Sequence, residues 1–293
     1  MIKLPSTTPA ARPRATALAL VLLTAAASLA AQGAPPPDAR AQDARAQDAR
    51  AQDARAQDAR AQDAGRRPFE AGERLTYRVS AGKLGRLGRG SMWISEGADV
   101  RGRETLVLHF GFQARVGPIK VVNETESWID AARMASLRFH KHERHPLSDH
   151  DEEVELFPER REWRAADGSS GESPTDAPLD ELSFIYFLRT LPLERDTTFT
   201  LDRHFDVARN PTVIRVAGRE VVQTEAGTFP TIVVEMRVKD RRYRGEGVIR
   251  LNLSDDVRRL PVRIESSAPI VGKTVLTLES HVQGPTSFAA GRR

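Results

Sequence analysis

The chain has 293 residues and no cysteine, and its 44 Lys and Arg residues nearly balance its 40 Asp and Glu residues. Without cysteine the protein has no disulfide, no thiolate metal site and no cysteine nucleophile. The formal charge of +4 falls to about +1 without the three cations of residues 1–30, and this near balance argues against nucleic-acid binding.

Residues 1–30 have the features of a secretory signal peptide. Lys3, Arg12 and Arg14 precede the short apolar run ALALVLLTAAASLA, which ends in small residues that suit a signal peptidase. The run is shorter than the roughly 20 apolar residues that span a bilayer. We therefore expect cleavage of the signal, no transmembrane segment after it, and a mature protein in the periplasm or secreted.

Residues 31–67 contain a five-residue repeat. The sequence AQDAR occurs four times from Ala41 to Arg60 and is followed by AQDAG. Residues five apart on a helix are separated by about 140°, so the repeat forms no apolar stripe. With alanine as its only apolar residue type, the repeat buries too little surface to fold. We predict a disordered linker here, with a partner-binding arm as the alternative.

Residues 68–283 show the alternation of apolar and polar residues that is typical of β-strands. Clear examples are the runs at 75–79, 106–112 and 249–253, and turn-forming segments such as RNP and EAGTFP separate such runs. The connections leave little room for helical crossovers. We predict a mainly β domain at 68–283, with a curved antiparallel sheet or open barrel of about a dozen strands. A flexible tail is expected at 284–293.

One segment, LDELSFIYFLRTLPL at 179–193, departs from this alternation. Leu182 and Tyr186 have helical spacing, Asp180 can cap the helix N-terminus, and Pro192 would stop the helix. We predict one short helix that plugs or covers one side of the sheet. A lid over an apolar cavity is the alternative interpretation.

Four of the seven histidines lie in RFHKHERHPLSDHDEE at 138–153. They are His140, His142, His145 and His150. His140 and His142 are two residues apart on a predicted strand, so their imidazoles share a face and could begin a metal site. However, HERH lacks the spacing of the helical HExxH zinc motif, and the alternating charges around it are typical of a solvated hairpin. We predict no metal site, and a metal-dependent hydrolase using residues 140–151 is the weaker alternative.

Two glycine-containing segments resemble catalytic motifs only in composition. GSSG at 168–171 lies in a polar loop and not in a strand–helix nucleophile elbow. AGKLGRLGRGS at 81–91 lacks the G-K-[ST] sequence and the following helix of a phosphate loop, and its glycines mark bends or close backbone approach in a strand. We predict no catalytic residue and no cofactor.

Four motifs occur in order along the domain: FEAGERLTYRV (69–79), DELSFIYFLRTLPL (180–193), GTFPT (227–231) and LSDDVRRLPVRI (253–264). Together they resemble the exported bacterial proteins of the domain of unknown function 3108 family. The resemblance implies an envelope protein with a curved, mostly antiparallel sheet, and it implies no activity. In the first motif, Gly72 reads as a turn glycine and Glu73 as an acceptor for backbone or arginine hydrogen bonds.

These features favour an exported, noncatalytic protein whose curved sheet holds an apolar ligand such as a lipid, by analogy with other curled sheets. The residues expected to line its cavity are Phe110, Phe112, Trp128, Phe184 and Phe187. The alternative is an envelope interaction module that binds a protein partner without a small ligand.

Overall fold

The computed structural model describes residues 67–82, 85–116, 119–145, 148–240, 245–268 and 272–284. The strands are β1 (Arg74–Ala81), β2 (Gly85–Glu96), β3 (Thr105–Val116), β4 (Ile119–Asp130), β5 (Ala135–His145), β6 (Ser148–Phe157), β7 (Glu162–Ala165), β8 (Ser170–Glu172), β9 (Thr198–Leu201), β10 (Thr212–Thr224), β11 (Gly227–Asp240), β12 (Gly245–Ser254), β13 (Pro261–Ala268) and β14 (Gly272–Val282). The α-helix is α1 (Glu181–Leu188), and 3-10 helices occupy Pro158–Arg160 and Val207–Arg209. The predicted signal peptide, the predicted linker except for Arg67, and the predicted tail beyond Gly284 lie outside the described residues.

The described strands form one antiparallel sheet of fourteen strands in the order β8-β7-β6-β5-β4-β3-β2-β1-β14-β13-β12-β11-β10-β9. The chain meanders from β1 to β8, passes through α1 to the opposite edge at β9, and meanders back to β14, which pairs with β1. The two edge strands, β8 and β9, are not neighbours in the described sheet, which therefore remains open. These observations confirm the predicted antiparallel sheet of about a dozen strands with one short helix.

The sheet curls so that its concave face encloses the core. One apolar cluster combines side chains of β1 to β4 with side chains of β10 to β14, although these groups extend to distant parts of the sheet. Contacts between them require strong curvature. Register shifts after Thr76, Val216 and Asn252 supply local bends, because an extra residue on one strand kinks the ladder.

Helix α1 lies within the concave face. Asp180 is its N-cap, as predicted, and the helix ends at Leu188, ahead of Pro192. Tyr186 and Leu188 have no exposed surface, and Phe184 is 2% exposed, so the helix is a part of the core and not a loose cover. None of the described helices is long and apolar enough to cross a membrane.

A second apolar cluster closes the concave side near β5 to β7. Phe205, in the connection between β9 and β10, packs with Phe139, Val154 and Leu156. A short parallel bridge between Leu179 and His204 ties this connection to the segment that precedes α1. The segment before α1 and the connection between β9 and β10 thus hold the curled sheet around the helix.

Candidate functional site

Four of the five predicted ligand-binding residues lie on the concave side. Phe110 and Phe112 alternate with outward-facing residues of β3, and both are partly buried against the main core. Phe184 is buried within that core. Phe187 is partly buried, and the guanidinium carbon of Arg203 lies 4.4 Å from the centre of its ring.

Trp128 lies on the other, convex face of the sheet. Its neighbours on β4, Ser127 and Ile129, point into the concave side, since Ser127 contacts the cap of α1 and Ile129 belongs to the main core. Successive residues of a strand point to opposite faces. Trp128 instead packs beneath the guanidinium group of Arg138, 5.6 Å from its ring centre. The structure therefore does not bring Trp128 together with the four phenylalanines.

The concave face beside Phe112 is lined by small and apolar groups. Gly90 of β2 lies directly opposite Phe112, and a Cβ atom on Gly90 would be 3.4 Å from Val79 Cγ2 and 3.7 Å from Phe112 Cβ. Several apolar side chains pack on the main core without being fully covered. They include Leu106, Phe110, Phe112, Ile185, Phe187, Val238 and Ile249. The core thus continues into partly exposed apolar surface.

A buried carboxylate fixes the helix that carries Phe184 and Phe187. Asp180 accepts hydrogen bonds from the backbone N–H groups of Leu182 and Ser183, both at 2.9 Å. Its other oxygen accepts bonds from the hydroxyl of Ser136, at 2.6 Å, and from that of Ser127. Burial raises the pKa of the Asp180 carboxyl, although these hydrogen bonds act in the opposite direction. The cap therefore attaches α1 to β4 and β5.

The other end of α1 is held by a buried ion pair. Arg189 donates to both carboxylate oxygens of Glu73, at 2.6 and 2.8 Å, and also to the carbonyls of Pro68, at 2.9 Å, and Arg258, at 3.0 Å. The Arg189 side chain has no exposed surface, and that of Glu73 is 6% exposed. A cavity of about 160 Å³ lies beside the pair. The predicted acceptor role of Glu73 is thus realised in the fold.

The histidine-rich segment forms a surface hairpin. His140 Nε2 and His142 Nδ1 lie 3.0 and 3.3 Å from the same oxygen of Asp151. The hydrogen bond to His140 lowers the pKa of the Asp151 carboxyl, and the bond to His142 adds to this effect. The side chain of His145 is outside the described part of the chain. Among the side chains that are described, no group of three or more His, Asp or Glu residues could hold a metal ion.

On the convex face, three polar side chains form a chain of hydrogen bonds that the sequence did not predict. Ser95 Oγ lies 2.8 Å from His109 Nε2, and His109 Nδ1 lies 3.0 Å from Glu126 Oε1. Burial lowers the pKa of His109, although Glu126 acts to raise it. The three residues come from three neighbouring strands, β2, β3 and β4, so no local motif marks them. Only the strand register could have brought them together.

Several solved structures of low sequence identity match much of this chain. A β-barrel-like protein of the domain of unknown function DUF1849 from Brucella abortus is 12% identical, with a TM-score of 0.51 over 74% of this chain and 99% of that one. A protein from Bacteroides fragilis described as exported, with a YmcC-like fold, is 13% identical with a TM-score of 0.33, covering 74% of this chain and 98% of that one. A protein from Parabacteroides distasonis described as a lipoprotein is 10% identical with a TM-score of 0.30, covering 73% and 98%.

Comparison with curated proteins gave no match. The Brucella structure, at its low identity, supports the fold alone. The family comparison is more specific and confirms the resemblance carried by the four motifs. Because residues 76–279 match the family described as protein of unknown function (DUF3108), the chain belongs to that family.

Proposed function

We propose that this protein is exported to the cell envelope and that its concave face binds an apolar ligand, such as a lipid acyl chain, without changing it chemically. The observation that carries the proposal is the position of Phe110 and Phe112. Both point to the concave side, both adjoin a continuous apolar core, and both remain partly exposed.

The hydrophobic effect gives this arrangement its affinity for an apolar chain. Covering partly exposed apolar surface releases about 25 cal/mol per Å², and rigid aromatic rings contribute large areas. Ile185 and Phe187 of α1 add partly buried apolar side chains to the same core. The helix is fixed at both ends, by Asp180 and by Arg189, so the surface is pre-organised and little ordering is needed on binding.

Export is the second element of the proposal, and it rests on residues 1–30. Their basic start, short apolar run and small residues at the end are those of a cleaved signal. The AQDAR repeats would then form a disordered spacer ahead of the β domain. In the periplasm or outside the cell, this domain would meet free or membrane-derived lipids.

A fluorescent apolar probe tests the binding site. N-phenyl-1-naphthylamine is titrated into the mature protein, and an unlabelled fatty acid is then used to displace it. The double variant Phe110→Ser/Phe112→Ser should weaken probe binding at least about tenfold, which corresponds to about 1.4 kcal/mol. Trp128→Ser is the matched control, because it removes an aromatic ring from the convex face, and it should bind the probe as the wild type does.

The same titration can overturn the proposal. A wild-type protein that takes up no probe would contradict an accessible apolar site and favour the alternative of a protein partner without a small ligand. Equal loss of binding in the double variant and in Trp128→Ser would show that the probe does not sit on the concave face. Thermal unfolding of each variant confirms that the comparison is made between folded proteins.

A further inference from the structure

On the convex face, the hydroxyl of Ser95, the imidazole of His109 and the carboxylate of Glu126 are hydrogen-bonded in the order found in acyl-transfer sites. We propose that these residues form a serine esterase centre, with Ser95 as nucleophile, His109 as general base and Glu126 as the residue that orients the histidine. The centre lies on the face opposite the apolar ligand site, so it is independent of the function proposed above.

The hydrogen bonds assign the protons. The carboxylate of Glu126 can only accept, so at 3.0 Å it holds a proton on His109 Nδ1. The Nε2 atom is then left with its lone pair, and the Ser95 hydroxyl donates to it at 2.8 Å. This is the arrangement in which a neutral imidazole can remove the hydroxyl proton as the oxygen attacks.

The surroundings keep the imidazole in place and neutral. The ring of Trp93 lies parallel to that of His109, with 4.7 Å between their centres and 3° between their planes. The His109 side chain is only 13% exposed, and burial is the main cause of its lowered pKa. At neutral pH it is therefore available as a base.

Apolar groups adjoin Ser95 and indicate the substrate class. In the next row of the sheet, Ser95 lies opposite Val107. Val107 is 5% exposed, so its neighbours enclose its side chain, whereas Trp93 in the adjoining row is only partly buried. Trp93 is therefore the apolar group on the face of Ser95 that would contact the acyl chain of an ester. Arg74 lies opposite Trp93, with its guanidinium carbon 5.0 Å from the centre of the Trp93 ring, and acts electrostatically on His109.

The proposed reaction balances without a cofactor. Ser95 Oγ forms a bond to the carbonyl carbon while its proton passes to His109 Nε2. The carbon–alkoxide bond then breaks, and the leaving alcohol takes that proton. A water molecule attacks the acyl-enzyme, gives its proton to Nε2, and the acid is released as the proton returns to Ser95. Glu126 stays ionised throughout and holds the ring in one tautomer.

An alkyl fluorophosphonate is the direct probe, because a serine activated in this way displaces its fluoride and forms a stable phosphonyl adduct. The full mature chain is treated with the probe, and the modified peptide is located by mass spectrometry. Hydrolysis of p-nitrophenyl butyrate is followed in parallel. We expect an adduct on Ser95 and hydrolysis above the buffer rate.

Four variants separate the proposed chemistry from a structural hydrogen-bond network. Ser95→Ala should remove both the adduct and the hydrolysis, and His109→Gln should slow labelling by about 100-fold or more. Ser91→Ala is the matched control, because Ser91 precedes Trp93 on the same face of β2 and lies opposite Gly111. This control should label at the wild-type rate. Glu126→Gln tests the orienting residue through the pH profile.

The pH profile follows from the groups that face His109: Arg74 on β1, which lowers its pKa, and Glu126 on β4, which raises it. His140 on β5 lies 3.9 Å from Glu126 on the far side. Wild-type labelling should rise with pH and be half-maximal below pH 6.5, the ordinary histidine pKa. In Glu126→Gln the half-maximal pH should move lower still. No adduct on Ser95, equal hydrolysis by Ser95→Ala, or an unchanged profile in Glu126→Gln would each overturn the proposal.

Discussion

The buried ion pair between Arg189 and Glu73 allows a sharp test of how the fold is held together. Replacing Arg189 with Met removes four hydrogen bonds and leaves the carboxylate of Glu73, 6% exposed, without its cation. Breaking a buried pair from one side costs about 3–5 kcal/mol, since the remaining charge is uncompensated. We therefore expect Arg189→Met to lower the free energy of unfolding by about 4 kcal/mol.

The double variant Glu73→Leu/Arg189→Met should be more stable than Arg189→Met alone. It contains no uncompensated charge, and apolar replacements of a buried pair are often neutral in themselves. What remains is the loss of a donor to the carbonyls of Pro68 and Arg258. A fully buried unsatisfied group costs about 1–3 kcal/mol, and since both of these bonds are only partly buried, we expect about that cost for the two carbonyls together. The expected deficit relative to wild type is thus about 1–3 kcal/mol, below that of the single variant.

Urea unfolding followed by far-ultraviolet circular dichroism measures these differences. Arg144→Met is the matched control, because Arg144 pairs with Asp149 at 2.8 Å while 54% of each side chain is exposed. Exposed pairs contribute less than about 1 kcal/mol, so this variant should unfold close to wild type. An Arg189→Met variant that lost no more stability than Arg144→Met, or a double variant less stable than Arg189→Met alone, would refute this reasoning.

Three further variants test other parts of the fold by urea unfolding. Asp180→Ala should lower the free energy of unfolding by about 2 kcal/mol, because it removes the acceptor of the Leu182 N–H group. Asp180→Asn keeps an acceptor and should therefore cost less. Equal losses in the two variants would contradict the capping role. Gly88→Ala should lower the free energy of unfolding by about 1–3 kcal/mol, because the new Cβ atom would lie 2.9 Å from the Gln113 carbonyl oxygen. An unchanged urea midpoint would show instead that β3 can move to make room for the Cβ atom. Folding lowers the pKa of His109 from 6.5, so the unfolded chain binds more protons than the folded one just below that pH. The free energy of unfolding should therefore fall as the pH drops below 6.5. His109→Gln should make this fall less steep, and an equally steep fall in the variant would contradict the role of His109.

Much of the fold follows from local patterns in the sequence. The alternation of Leu75, Tyr77 and Val79 correctly assigned β1 and its buried face. The Asp180 cap located the start of α1. Such signals are local because strand and helix periodicity require only neighbouring residues. Pairing is different, since β1 meets β14 only after almost the whole domain has intervened.

The position of Trp128 shows where periodicity fails. The inward residues of this part of β4 include Thr125 and Ser127, which are polar although they are buried. Ser127 is polar because it donates to Asp180, a partner 53 residues away. Because Thr125 and Ser127 are polar, the apolar Trp128 reads as the inward residue, while the structure places it on the convex face and Ile129, the next residue, in the core. Ser127 can be a polar inward residue only because of its bond to the distant Asp180, and this makes the apolar–polar alternation of β4 misleading.

The polar sites of the fold were hidden for a related reason. Arg189 and Glu73 are 116 residues apart, and the sequence indicated only that Glu73 was an acceptor. Ser95, His109 and Glu126 come together because β2, β3 and β4 pair in one specific register, and a shift by one residue would point His109 to the other face. Neither arrangement has a sequence spacing that could be recognised in advance.

Native mass spectrometry of the mature protein, purified gently from the envelope of cells that produce it, tests the proposed ligand site most directly. We expect an additional noncovalent mass that matches a lipid and disappears on denaturation. It should be lost in Phe110→Ser/Phe112→Ser and retained in Trp128→Ser. A wild-type protein that carries only its own mass, under conditions in which the protein remains folded, would contradict the central claim.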